Sequence, residues 1–221
     1  MSDRIAQRHP TWNLQQILTC LIYLLIIKVI VGVVVNYRDY LPPNLESEFL
    51  QGREPYFFGS YRWAFYVHIA SGPVSLILGM LLISERFRIW SPRRHRILGR
   101  LQTINVLLLV VPSGQWMAIW SDAGPAGISG FSALAVATGV CCVQGWRMAV
   151  RRRFAAHRRW MWRCSLLLCS AVTLRMIGGI VEIAGLNPAW TYPVAAWISW
   201  LVPLGVLEWS LMRTLPIRKS A

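Results

Sequence analysis

The sequence predicts an all-α fold, a polytopic six-helix transmembrane bundle that forms a single integral membrane domain over residues 1–221. Three observations carry this reading. The chain is 55% hydrophobic and only 14% charged, where a soluble domain carries about a quarter charged residues. Its apolar residues fall into six stretches long enough to cross a hydrocarbon core, which takes about 20 residues of helix. The connections between these stretches alternate between basic and acidic, as topology signals do.

The stretches cover about 14–36, 62–84, 101–120, 128–149, 161–185 and 193–213. The first begins at Leu14 and stops at "LPPN"; no small-residue cleavage site follows it, so it reads as an anchor rather than a cleaved signal. The second contains "HIASGPVSLILG" and the third is interrupted by Pro112. The fourth runs into "RMAVRRR", the fifth ends at "NPAW", and the sixth contains "WISWLVPLGVLEW". The external loop 37–61 joins acidic residues to the aromatic run "PYFFGSYRW" and is expected to be a solvated connector, with a lid over the outer face as the alternative.

Charge sets the orientation. The net charge is +14, from 23 Lys plus Arg against nine Asp plus Glu. Arg4, Arg8, "ERFRIWSPRRHRILGR", "RMAVRRRFAAHRRWMWR", Arg218 and Lys219 fall on one side, and Asp39, Glu46, Glu48, Glu54 and Asp122 on the other. The positive-inside rule then places both termini and the two Arg-rich loops in the cytoplasm, which makes this a multi-pass protein of the cytoplasmic (inner) membrane. Basic runs wedged between apolar stretches face anionic lipid headgroups. Nucleic-acid binding would call for a polar basic face, which is lacking, so no nucleic-acid partner is expected. Trp12, Trp63, Trp90, Trp120, Trp146, Trp160, Trp162 and Trp190 fall near stretch ends, where an indole is favoured. The five cysteines lie inside apolar stretches without metal-type spacing and read as small core residues.

The chemistry is expected where charges enter the membrane. In "LRMIGGIVEIAG", Arg175, Gly178, Gly179 and Glu182 are spaced i, i+3, i+4 and i+7 and share one helix face. A charge at the bilayer centre costs at least about 2.5–3.5 kcal/mol, so this stripe is expected to face the bundle, with the glycines admitting another backbone. By depth and helix face, Lys28, His68, Gln115, Arg175 and Glu182 form one polar site in the outer half. His68 is then the titrating group, Arg175 the fixed charge and Glu182 its counter-ion. Two simpler readings compete: a structural network that fixes helix register, and snorkelling of Lys28 and Glu182 to water. Glu208 is expected at the inner side, against the basic face.

"RRHRILGR" and "AAHRRWMWR" each set a His-Arg pair before a stretch, which makes stretches two–three and four–five related hairpins. The repeat is imperfect, because the place matching His68 falls near Gly130. His95, Arg96, His157, Arg158 and Arg159 suit lipid phosphates or structural contacts. The alternative is a b-type haem held by His95 and His157, or a quinone site. No other metal is indicated. Nucleophile–base pairs, phosphate-cradling loops and zinc spacing are absent from the sequence, so an ordinary hydrolase or nucleotide enzyme is not indicated.

The order "HIASGPVSLILG", "HRILGR", "HRRWMWR" and "TLRMIGG" resembles a family of bacterial multi-pass membrane proteins defined as a domain of unknown function. The resemblance covers about residues 60–185, and more loosely the tail, and maps onto His68, His95, Arg96, Gly99, His157, Arg158, Arg159 and Arg175. It implies a membrane bundle and no settled activity. The expected function is therefore binding or sensing of a small ligand or proton at the outer polar site. The alternatives are a haem or quinone redox protein and an accessory subunit without a site of its own.

Overall fold

The computed structural model describes residues 14–47 and 49–214. Arg4, Arg8, Trp12, Glu48, Arg218 and Lys219, which enter the charge argument, lie outside the described residues. The described residues contain no β-strand, and six of their helical rods are long and apolar enough to cross a membrane.

The first rod is α1 (Leu14–Val35), followed by the short turns α2 (Tyr37–Tyr40) and α3 (Glu54–Tyr56). The second rod is α4 (Arg62–Ile83); α5 (Glu85–Trp90) then crosses the Arg-rich end. The third rod is α6 (Pro92–Ile104), a π-helical segment Asn105–Val110, and α7 (Val111–Ile119). The fourth is α8 (Gly124–Val150), the fifth α9 (Phe154–Leu168) and α10 (Ser170–Ile183), and the sixth α11 (Pro188–Thr214).

Helix α8 sits at the centre and packs on α7, α9 and α11. Its buried face carries Gly130, Thr138, Cys141, Cys142 and Gly145, a run of small residues that lets backbones approach. Cys141, Cys142, Cys164, Val106, Leu167 and Trp200 form the core there. Helix α4 packs on α6, the π segment and α7, while α1 leans on α4 and α10 through Ile26, Leu76 and Val172.

Two prolines show how the irregular backbone is satisfied. Pro73 in α4 has no N–H for the carbonyl four residues back; the Tyr37 hydroxyl donates to that Ile69 carbonyl at 2.5 Å. Pro112 follows the π segment after one residue, Val111, and the carbonyls at Leu109 and Val110 accept from the Ser113 hydroxyl. On the facing wall, Gln102 and Asn105 donate to the carbonyls of Ser75 and Ser71 at 3.0 and 3.1 Å.

The loop between the first two rods is not a solvated connector. Leu50, Phe57, Tyr61 and Phe65 are essentially inaccessible and pack with Tyr40. Each ring offers more apolar area to its neighbours than to water, so the segment collapses into a cap over one end of the bundle.

Candidate functional site

His68 enters the bundle from α4. Its Nδ1 lies 3.1 Å from the Ser113 hydroxyl. That hydroxyl already donates to the Leu109 and Val110 carbonyls, so its oxygen accepts and His68 carries its proton on Nδ1. Nε2 is then the acceptor nitrogen of a neutral ring. The ring lies flat against α7 because position 114 is glycine: a Cβ there would stand 3.1 Å from Cε1 of His68.

Arg175 of α10 is exposed. It lies within electrostatic reach of His68 on α4 and of the phenols of Tyr40 on α2 and Tyr192 on α11. Glu182 is not part of the group. The Arg175 guanidinium donates to the Ala171 carbonyl at 3.1 Å, Glu182 is exposed, and no ion pair joins them. The reason is directional. A helix side chain leans toward the N-terminus, which carries the guanidinium away from a residue about 10.5 Å further along the axis. Gly178 and Gly179 likewise face no other backbone, for a Cβ at either would meet open space.

Two further expected members lie elsewhere. Lys28 is exposed, two residues and so roughly half a turn from the buried Ile26, and points out of the bundle. Gln115 donates to the Ser132 hydroxyl at 2.9 Å, tying α7 to α8 instead of facing His68. Of the five residues expected to converge, His68 and Arg175 lie within electrostatic reach of one another, and Arg175 is exposed, as Lys28 and Glu182 are, so the stripe expected to face the bundle does not bury its charges.

The cap holds a buried cation of its own. Arg53, buried at its end, pairs with Asp122 at 2.7 Å, donates to the Tyr61 hydroxyl at 3.2 Å and to the Phe49 carbonyl, and stacks on the Phe49 ring at 4.5 Å. Burial alone would lower the Arg53 pKa, but Tyr61 and Asp122 outweigh it and hold the group above its ordinary value. Tyr56 stacks on Trp120 with centroids 4.8 Å apart, which ties the cap to the end of the third rod.

At the Arg-rich end the two His-Arg loops meet. His157 donates from Nδ1 to the Gly145 carbonyl at 2.8 Å, and His95, within electrostatic reach of His157, holds a buried Nδ1 with no hydrogen-bond partner. Arg96, Arg158 and Arg159 are exposed and outside the ion pairs found among the described residues. The place that matches His68 in the second hairpin is closed: a Cβ on Gly130 would lie 3.0 Å from the Trp197 indole nitrogen and 3.2 Å from the Ala196 carbonyl. Helix α11 fills the space that a second histidine would need.

Glu208 does meet the basic face, through a partner the sequence did not single out. Arg163 of α9 binds it in bidentate fashion at 2.5 and 2.8 Å and lies over the Trp160 ring. Glu208→Gln is expected to cost about 1–3 kcal/mol, the range between an exposed and a buried pair, because both side chains are partly open. Unfolding in mixed micelles checks this.

Ser113, Gly114, Tyr40, Tyr192, Arg53 and Arg163 are the site residues missed by the sequence reading. The break "PSG" inside the third stretch was a usable signal for Ser113 and Gly114. Tyr40 and Tyr192 sit near span ends, where tyrosine is ordinary.

No curated protein and no solved structure matches the chain. The model of a family described as predicted membrane protein, DUF2306, matches residues 65–211, from the cap's Phe65 to the last turns of α11. The chain therefore belongs to this family of membrane proteins of unknown function.

Proposed function

We propose that the capped half of the bundle is a polar crevice that binds a small anionic ligand, with His68 taking up or releasing a proton as the ligand comes and goes. Arg175 supplies the fixed positive charge, the Tyr40 and Tyr192 phenols supply donors, and Nε2 of His68 is the proton acceptor. The charge pattern supports an inner-membrane protein whose termini are cytoplasmic and whose crevice opens outward. Glu182 has no part in it.

One observation carries the reading. Arg175, exposed on α10, lies within electrostatic reach of an imidazole and two phenols and makes no ion pair among the described residues. A lone intramembrane cation is costly, and an anion in the crevice offsets that cost. The test is thermal unfolding of the purified protein in neutral detergent against a panel of small carboxylates, phosphate and phosphate esters. At least one is expected to raise the melting temperature by several degrees in the native protein and by nothing in Arg175→Gln. No shift from any of them, or an equal shift in the variant, defeats the proposal.

A second reading, a b-type haem at the Arg-rich end, is favoured by the approach of His95 to His157. The Gly145 carbonyl fixes the His157 tautomer and leaves Nε2 free to ligate, and His95 has an unsatisfied ring nitrogen. An absorption spectrum of the native protein decides it. A stoichiometric Soret band lost in His95→Ala and His157→Ala supports haem, and its absence ends this reading.

A further inference from the structure

Helix α8 has two unlike faces. Gly127, Gly130, Thr138, Cys141 and Gly145 are buried among α7, α9 and α11. On the opposite face, Val136, Val140 and Val150 are exposed, and Arg147 and Arg151 continue the same stripe at its Arg-rich end. Spacings of four, seven and four residues keep this set on one side of a helix. Trp146, Arg147, Val150 and Arg151 line a notch of about 180 Å³, room for several molecules of water's size.

The wall of the notch is almost wholly apolar, formed in part by the arginine stems, and the charges at its rim are unbalanced. Arg147 and Arg151 stand at i and i+4, where like charges repel, and neither enters an ion pair among the described residues. The helix C-terminus offers about half a negative charge, too little for these two arginines and the Arg152 and Arg153 that follow. An anion that balances them comes from outside the chain, and the stripe says what it is attached to. A free phosphate gains nothing from an apolar track leading away from its site, whereas a phospholipid lays its acyl chains along Val136 and Val140. Its glycerol region meets Trp146, an indole at the depth where indoles are favoured.

We propose that this end of α8 binds the headgroup of an anionic phospholipid, with Arg147 and Arg151 on the phosphate and Trp146 and Val150 against the glycerol and upper acyl chains. The site is separate from the capped crevice and stands or falls without it.

The test is native mass spectrometry of the delipidated protein in neutral detergent, given equimolar phosphatidylglycerol and phosphatidylcholine. The native protein is expected to retain phosphatidylglycerol about ten-fold more often. Arg147→Gln with Arg151→Gln should abolish the preference, and Arg147→Lys with Arg151→Lys should keep most of it. Equal retention of both lipids, or an unchanged preference in the glutamine variant, overturns the proposal. So does displacement of the lipid by millimolar inorganic phosphate, which would identify a free-anion site. If the glutamine variant does not fold, the same lipid competition on the lysine variant decides: a preference no better than even overturns it.

Discussion

Phe65→Ala is expected to lower stability by about 3–5 kcal/mol, the cost of deleting a fully buried aromatic side chain. Phe65 is 1% exposed and touches Tyr40, Phe49, Phe57, Tyr61 and Tyr66 with ring centroids 5.1–6.4 Å apart. No single neighbour can move in to fill the gap, because each ring is held by others. The loss falls on the cap and should appear in equilibrium unfolding in mixed micelles and in faster proteolysis between residues 41 and 53. A loss below about 1 kcal/mol would mean that the loop is a mobile connector, the expectation that the structure overturned.

The second large effect is at Asp122. Removing its carboxylate with Asp122→Ala leaves the Arg53 guanidinium, 10% exposed, with the Phe49 carbonyl, the Tyr61 hydroxyl and a ring face as its only company. Stranding a buried charge costs up to about 3–5 kcal/mol; water reaching the edge of this pair brings the expectation to about 2–3 kcal/mol. Arg53→Met removes the charge instead and leaves Asp122, 57% exposed, in water. It should cost less, about 1–2 kcal/mol for the donors withdrawn from Phe49 and Tyr61. Measuring both variants checks the order. If Arg53→Met is the worse of the two, desolvation of the guanidinium is not what makes the pair matter.

The rods were legible in the sequence because hydropathy reports whatever lies in hydrocarbon. Their ends were less so. The third rod starts at Pro92 and the fifth at Phe154, well before the apolar stretches do. Arginines such as Arg96, Arg158 and Arg159 extend both helices into the headgroup layer, where long side chains reach water while their stems stay on apolar surface. The family resemblance was read over about residues 60–185 and more loosely the tail, and the family model matches residues 65–211. The site was less legible than the rods. Depth put His68 and Arg175 at one level, but helical period gives only the relative face of two residues on a rod. The direction in which the rod turns that face is set by tertiary packing. Lys28, Gln115 and Glu182 shared the depth and face the wrong way. The cap was read as a connector because loops of its length usually are; its aromatic density was the signal to weigh instead.

The central claim is that Arg175 faces a polar, water-accessible crevice and not lipid tails. Arg175→Cys and, as control, Ile180→Cys on the same helix would be treated in sealed membranes with a charged, membrane-impermeant thiosulfonate from the extracytoplasmic side, with the parent protein as blank. The crevice predicts labelling at position 175 that a bound anion slows, and none at position 180, whose side chain is 62% exposed on the surface of the bundle. An unreactive position 175 that a lipid-soluble maleimide labels as readily as position 180 would contradict it.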